Sequence, residues 1–381
     1  MKKILGKKIL AIGLCMILLL SAVILIAPLS AEAKVNFNGV FDFEAHRGGR
    51  DSRPENTLYS YAYAIELGAT SIECDMQLTV DGDIVMSHNP ILNPDITRDA
   101  NGNYVPANKY DIRKMTVKEI KKFNVSKINP ATEYYRLHGK TQVTPDVVQI
   151  PTLRELLELI KSSGNKNIFI NAEIKSYPDP LTEAAFQYNA DKRKFLQKFN
   201  ELIAEYDMED RTILQSFDWE ILILERELNP RISLLALWQE QPSWGKSAES
   251  LRAWDKEKSP WLGGLDIKDF KGNPVQAAKA IGADIISPYY MELSKEMVDE
   301  AHKLGMKVVP WTVNNLTDME MMYDMGVDGI ISDKPWLLRS FLEKRGAKLN
   351  SRHPFKSDYH LNKDHLEAEN SKIQGGADSA Y

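Results

Sequence analysis

Residues 72–89 read Ile72-Glu73-Cys74-Asp75-Met76-Gln77-Leu78-Thr79-Val80-Asp81-Gly82-Asp83-Ile84-Val85-Met86-Ser87-His88-Asn89. Side chains of a strand alternate faces, so Glu73 and Asp75 point one way and Cys74 the other, into a packing layer. Two adjacent carboxylates repel, and burying them costs stability unless a cation neutralises them. A hard divalent metal with oxygen ligands meets that need. Asp81-Gly82 turns the chain, and Ile84-Val85-Met86 forms a second short strand that delivers His88 toward the same place. A solvated surface hairpin is the alternative, and the rest of the chain decides between them.

Outward from this stretch, short β-rich runs alternate with helical patterns from Val40 on, without internal repeats. Strands are predicted at 40–46, 71–76, 84–88, 168–174, 212–216, 232–237, 284–287, 307–312 and 329–332. Thr152-Leu153-Arg154-Glu155 and Thr317-Asp318-Met319-Glu320 read as capping boxes, and Gly305 and Gly326 stand where helices end. Leu153, Leu156, Leu157 and Ile160 make one apolar stripe. So many βα units imply an α/β fold with a parallel sheet, and the length favours a TIM-type (β/α)8 barrel over 36–345. Nine strands are one too many, so one lies outside the barrel or the Asp81-Gly82 hairpin is antiparallel. Residues at about 90–150 break the alternation with Pro, Asn, Asp and Tyr, carrying one helical pattern near 116–123. They read as a small insertion at the C-terminal face of the barrel. Residues 346–381 are polar and aperiodic, which predicts a disordered tail.

At the N-terminus, Lys2, Lys3, Lys7 and Lys8 precede an apolar run from Ile9 to Leu29, followed by the small residues of Ala31-Glu32-Ala33. Residues 1–33 therefore read as a signal peptide, with an uncleaved anchor and membrane association as the alternative. The protein is expected to be exported, to an extracellular or periplasmic location or the outer face of the cytoplasmic membrane. Cleavage after Ala33 would remove four lysines and one glutamate, net +3, taking the formal charge from −5 to −8. Nucleic acid is thereby disfavoured as a partner. Of two cysteines, Cys15 falls in the leader, so Cys74 alone remains and no internal disulfide can form. Stability must come from an ordinary core, which 43% hydrophobic composition supplies.

Several predicted strands end in polar residues that an apolar core would not tolerate. The first runs into His46-Arg47-Gly48-Gly49, followed by Pro54-Glu55-Asn56-Thr57. The fourth ends in Asn171-Ala172-Glu173-Ile174-Lys175, the fifth in Gln215-Ser216-Phe217 and the eighth in Trp311-Thr312-Val313-Asn314. In a barrel of this class the working groups sit at such strand ends. Strict alternation also turns Asp42 and Glu44 inward with His46, and a β-bulge near Ala45 would relieve that conflict.

These motifs, in this order, resemble the glycerophosphodiester phosphodiesterases, from about Phe43 to Pro335. The resemblance implies metal-dependent hydrolysis of glycerophosphodiesters to glycerol 3-phosphate and an alcohol. It implies one divalent cation, Ca²⁺ or Mg²⁺, on Glu73, Asp75 and Glu173. His46 and His88 would be the general acid/base pair, and Arg47, Lys175 and Trp311 would bind a glycerophosphodiester or lysophospholipid substrate. The family commonly has aspartate after the second histidine, and here it is Asn89. A neutral amide there would lower the basicity of His88.

The residue types suit this chemistry in their own right. A phosphodiester must have its charge partly cancelled before an oxygen nucleophile approaches, and a cation with Arg47 and Lys175 does so. Two imidazoles divide the proton transfers. No serine, threonine or cysteine stands beside either histidine as an activated nucleophile, since Ser87 should face away from His88. The substrate's own hydroxyl is then the natural attacking group. A phospholipase D-like or sphingomyelinase D-like enzyme shares the paired acids and second histidine, but Glu173-Ile174-Lys175 and the full His46-Arg47-Gly48-Gly49 run favour the phosphodiesterases. A non-catalytic exported binding protein on the same barrel would be attractive had a ligand or histidine been replaced, and none is.

Overall fold

A computed structural model of the protein describes residues 35–178, 191–240 and 258–360. The apolar N-terminal run and the expected cleavage point lie outside the described residues. All nine predicted strands form: β1 (Asp42–Ala45), β2 (Ser71–Leu78), β3 (Ile84–Met86), β4 (Phe169–Ile174), β5 (Thr212–Ser216), β6 (Ser233–Trp238), β7 (Ile285–Pro288), β8 (Lys307–Val308) and β9 (Gly329–Ser332). Eight are parallel neighbours in the order β8-β7-β6-β5-β4-β2-β1-β9, and β3 pairs antiparallel with β2 off that path. The surplus strand is thus the second arm of the Asp81-Gly82 hairpin.

The seam between β8 and β9 is closed by single bonds. The Asp328 N–H donates to Val308 O (2.9 Å), Ile331 N–H to Pro310 O (3.0 Å) and Val313 N–H to Ile331 O (3.0 Å). Pro310 has no N–H to give, so the ladder is interrupted and β8 is short. Each barrel strand leads to a helix outside: α1 (Leu58–Leu67), α2 (Leu153–Ser163), α3 (Lys192–Glu205), α4 (Trp219–Leu228), α5 (Pro274–Ala280), α6 (Lys295–Lys303), α7 (Leu316–Met325) and α8 (Pro335–Lys344). Thr152 caps α2 in a reciprocal box with Glu155, worth about 1 kcal/mol, and the stripe Leu153, Leu156, Leu157 and Ile160 is buried. The second expected box fails: α7 begins two residues earlier, with the Asn315 side chain accepting from the Asp318 N–H. Asparagine is as good an N-cap as threonine, and it won the start.

Inside the barrel, Phe169, Ile213, Leu235, Leu237, Ile285, Val309 and Ile331 pack with Val35 and Phe37 from the N-terminal segment. Phe37 meets Phe169 edge-on at 5.4 Å between ring centroids. The insertion carries three short helical turns, Ile112–Lys114, Val117–Ile120 and Tyr135–Gly139, and a small core of its own around Leu92, Val105, Ile112, Phe123 and Val148. It is tied to the loop after β1: Thr141 donates to Asp51 O (2.6 Å), Gln142 to Arg50 O (2.5 Å), and the Val143 N–H to Ser52 O (2.9 Å).

Two further expectations are corrected. Residues 346–360 do not form a disordered tail: Ala347, Leu349, Phe355 and Tyr359 pack on the core, and His353 Nε2 lies 2.8 Å from Ser163 O. This strap lacks periodicity because it follows the surface as an extended segment, and residues 361–381 lie outside the described residues. Nor is there a bulge at Ala45. β1 runs in unbroken register with β9, from Asp42 opposite Gly329 to Ala45 opposite Ser332, and both Asp42 and Glu44 are fully buried in the barrel.

Candidate active site

The loop after β1 is built by its glycines. Gly48 and Gly49 have φ of +76° and +103°; a Cβ on Gly48 would lie 2.5 Å from Ser60 Oγ, and one on Gly49 2.7 Å from Pro335 Cγ. This tight turn brings the Arg47 N–H to Glu73 Oε2 (2.7 Å) and Arg47 Nε to Asp75 Oδ2 (3.2 Å). Arg47 Nη1 is held in turn by Glu55 Oε1 (3.1 Å), and Glu55 is also met by the Tyr134 hydroxyl of the insertion. Asn56, at φ +53°, donates to Asp75 Oδ2 (2.8 Å) and accepts from the Asp75 N–H (3.1 Å) and the Tyr61 hydroxyl (3.0 Å). Asparagine tolerates that left-handed conformation, and its amide has both a donor and acceptors to offer. The Pro54–Thr57 run therefore braces the paired acids as well as starting α1.

Glu73, Asp75 and Glu173 are buried, and one carboxylate oxygen from each can be chosen so that all lie within 4.8 Å of one another. Parallel pairing sets Asp75 opposite Glu173. Lys175 Nζ stands 2.6 Å from Glu173 Oε1 and 2.9 Å from Asp75 Oδ1. Burial and the repulsion of its neighbours hold Glu73 well above the usual carboxylate range. Burial pushes Glu173 up to about 7 against the pull of Lys175. Asp75 is buried too, but Lys175 and then Arg47 keep it well below its ordinary value. One ammonium and one guanidinium thus leave the acids short of positive charge. An all-oxygen set with that deficit is what a hard divalent cation requires, so these three residues fit one.

His46 and His88 face the same cleft of about 160 Å³, which Arg47, Arg50, Glu73, Glu173, Lys175 and Trp311 also line. His46 Nδ1 lies 2.5 Å from Asp333 Oδ1, and its Nε2 is turned to Glu73 Oε2 (3.8 Å). Asp333 is itself gripped by Arg50 through two bonds (2.6 and 3.0 Å) and by Asn314 Nδ2 (2.8 Å). His88 Nδ1 meets the neutral Asn89 Oδ1 (2.7 Å). Burial first, then nearby cations, depress both imidazoles: His46 to about 4 despite Asp333, and His88 well below its ordinary value. Trp311 donates its indole N–H to Ser287 O (2.9 Å) and stacks edge-on with Phe217 at 5.4 Å, so it offers the cleft an apolar wall. The Ser87 hydroxyl is taken up by Asn89 O (2.9 Å).

All eight residues singled out in the sequence converge here, on loops and strand ends from opposite sides of the barrel. A profile of the Glycerophosphoryl diester phosphodiesterase family matches residues 46–337. The chain belongs to this family. A glycerophosphodiester phosphodiesterase of Caldanaerobacter subterraneus is 30% identical over 309 residues, 79% of this chain and 98% of that one. One from Bacillus subtilis is 27% identical, over 82% and 90%. Among solved structures, a Silicibacter pomeroyi protein assigned to the glycerophosphoryl diester phosphodiesterases superposes with a TM-score of 0.68 at 29% identity, over 84% of this chain and 98% of its own. An Oleispira antarctica phosphodiesterase, solved with the product sn-glycerol-3-phosphate, shares the fold (TM-score 0.54, 20% identity, 79% and 96% covered). The parallel barrel read from the sequence is the fold of these relatives.

Sequence reasoning missed Asp333 and Arg50. Asp333 follows directly on β9, and the test applied to the other strands, a polar residue at a C-terminal end, would have found it. Arg50 carries no such signal: it follows the glycine turn as one arginine among several.

Proposed function

We propose that the protein hydrolyses glycerophosphodiesters to glycerol 3-phosphate and an alcohol, with one divalent cation, Ca²⁺ or Mg²⁺, held by Glu73, Asp75 and Glu173. The observation that carries this reading is the convergence on one cleft of Glu73 and Glu173, with Asp75 clustered against them, the cations Arg47, Arg50 and Lys175, and two imidazoles. The cation, when bound, supplies positive charge against the phosphate oxygens. Arg47 and Lys175 bind the phosphodiester beside it, Arg47 with its guanidinium already fixed by Glu55. His46 and His88 present Nε2 to the cleft, each steadied at Nδ1, and divide the two proton transfers. Trp311 and Phe217 cover the glycerol carbons and exclude water from that side. With Ser87 engaged elsewhere, the glycerol 2-hydroxyl is the nucleophile, and a cyclic phosphate precedes glycerol phosphate. The apolar wall continues from Trp311 to Tyr289 (5.6 Å) and the exposed Met291, which supports lysophospholipids as further substrates. Export with cleavage after Ala33 completes the reading.

The test is phosphorus-31 spectroscopy of purified mature protein, with its N-terminus checked for Lys34, on glycerophosphocholine, its 2-deoxy analogue and lysophosphatidylcholine. Turnover of the first, lost on chelation and restored by Ca²⁺ or Mg²⁺, is expected. Full activity after exhaustive chelation would remove the cation from the proposal, and equal rates on the 2-deoxy analogue would remove the cyclic intermediate.

A further inference from the structure

Below the mouth, inward-pointing side chains form a hydrogen-bonded file that runs from the middle of the barrel to Glu73. Asp42 and Glu44 stand two apart on β1 and are wholly buried. Asp42 Oδ1 accepts from the Ser71 hydroxyl (2.6 Å). Asn171 Nδ2 donates to Glu44 Oε1 (2.6 Å) and to Gln215 Oε1 (3.2 Å), and Gln215 Nε2 donates to Glu73 Oε1 (3.0 Å). The other two carboxyl oxygens, Asp42 Oδ2 and Glu44 Oε2, have no hydrogen-bond partner among the described residues.

Two ionised carboxylates two residues apart on one strand, each with a buried oxygen that no donor meets, repel at a cost that nothing beside them offsets. A proton on Glu44 removes one of the two buried charges and leaves its other oxygen free to accept from Asn171. Burial first pushes both acids upward, Asp42 to about 7 and Glu44, which the charges of Asp42 and Glu73 raise further, well above its ordinary value, with Lys307 the cation that acts on Asp42. The direction of every bond in the file then follows. Glu44, through its carbonyl oxygen, takes one N–H of Asn171; that fixes the amino side of Asn171 toward Gln215 Oε1; and Gln215 is left with its own amino group aimed at Glu73.

We propose that Glu44 is a positioning residue for the cation site: by accepting from the Asn171 amide, it sets the orientation of Asn171 and Gln215 and thereby holds Glu73 in ligating position. The inference rests on Glu73 being a cation ligand. Removing the acceptor at Glu44 frees Asn171 to turn its carbonyl toward Gln215, which would draw the Gln215 amino group off Glu73. Partners of this kind behind a ligand typically contribute about 10- to 100-fold in metal affinity.

The experiment is calorimetric titration of the metal-free protein with CaCl₂, comparing wild type with Glu44→Leu, Glu44→Gln, Asn171→Leu and Gln215→Leu. Glutamine at 44 keeps the acceptor for Asn171, so it should bind Ca²⁺ within about threefold of wild type, while the three leucine variants should lose roughly tenfold or more. If Glu44→Leu does not fold, Asn171→Leu breaks the file at its next link and carries the same expectation. Wild-type affinity in a folded Glu44→Leu or Asn171→Leu variant would overturn the proposal, as would equal losses in Glu44→Gln and Glu44→Leu. Infrared difference spectra of the metal-free protein, wild type minus Glu44→Gln at neutral pH, read the proton on Glu44 separately, because the bands of the other buried carboxyls cancel: a protonated-carboxyl component should be lost in the variant. Absence of that difference would overturn the neutral form of Glu44. A wild-type protein that shows that component but binds no Ca²⁺ or Mg²⁺ would instead sink the cation reading of Glu73.

Discussion

The two histidines of the cleft are the same side chain in two different settings. His46 is seated on a carboxylate that comes from the far end of the chain, and that carboxylate is itself clamped by Arg50 and Asn314. His88 is seated on the amide of its immediate neighbour, Asn89. A carboxylate favours the imidazolium and fixes the ring, whereas an amide oxygen fixes the ring without the charge. Proton transfer can be divided unequally on such a pair. The difference also has a structural cost: Asp333 is buried with a full charge and needs Arg50 to stay there, while Asn89 needs nothing.

If both rings transfer protons, removing either should be severe whatever its setting. His46→Ala and His88→Ala are each expected to lower kcat by about 10² to 10⁴ while circular dichroism and substrate binding persist. A variant that kept more than a tenth of the wild-type rate would take that histidine out of the chemistry, and the comparison would collapse to one catalytic imidazole.

Exchanging the orienting groups sharpens the comparison at a smaller scale. Asp333→Asn keeps the shape but withdraws the charge from His46 and leaves Arg50 buried without its partner, so kcat should fall by roughly 10². Asn89→Asp does the reverse at His88, giving it the carboxylate that His46 already has. The change in kcat should stay within about tenfold, with the His88-dependent limb of the pH–rate profile displaced upward. Equal effects of the two exchanges on rate and profile would mean that the two settings are chemically interchangeable.

Much of this arrangement was legible in the sequence, and the parts that were not share a cause. The period of two placed Glu73, Asp75, Glu173 and Lys175 on one inward face because strand alternation is local, and all nine strands were legible for the same reason. The place of Asp333 at the end of β9 is legible in the sequence, but its partner is not: the contact with His46 spans 287 residues and exists only once β9 closes against β1. Alternation puts Asp42 and Glu44 on the correct face, but it carries no sign that two inward acids are tolerated, so the sequence favours a bulge that the barrel does not have. The barrel keeps them there through Ser71 and Asn171, by hydrogen bonding that alternation cannot express. The strap of residues 346–360 escaped notice because the signal used for order was periodicity, and an extended segment that packs through Leu349, Phe355 and Tyr359 has none.

The smallest expected effect concerns stability and pH, and it separates the two histidines without any catalysis. Both rings take up a proton less readily in the fold than in the unfolded chain, because burial opposes the charge and the cations of the cleft add to it. For a group depressed on folding, the stabilising contribution is complete above the unfolded value, near 6.5, and is lost as pH falls, because the unfolded chain then binds the proton first. For His46 that loss should be over near pH 4, the value at which the folded ring itself charges with Asp333 as its partner. For His88, which lacks a carboxylate at Nδ1, the loss should continue to lower pH. The slope is at most about 1.4 kcal/mol per pH unit for each ring. Thermal unfolding of His46→Gln and His88→Gln, each subtracted from wild type between pH 7.5 and pH 3.5 (about four units, spanning both transitions), isolates each ring from the titrating acids around it. The His46 difference should flatten toward the acid end and the His88 difference should not. Superimposable curves would show that Asp333 steers His46 by geometry alone, and that its charge does not reach the ring.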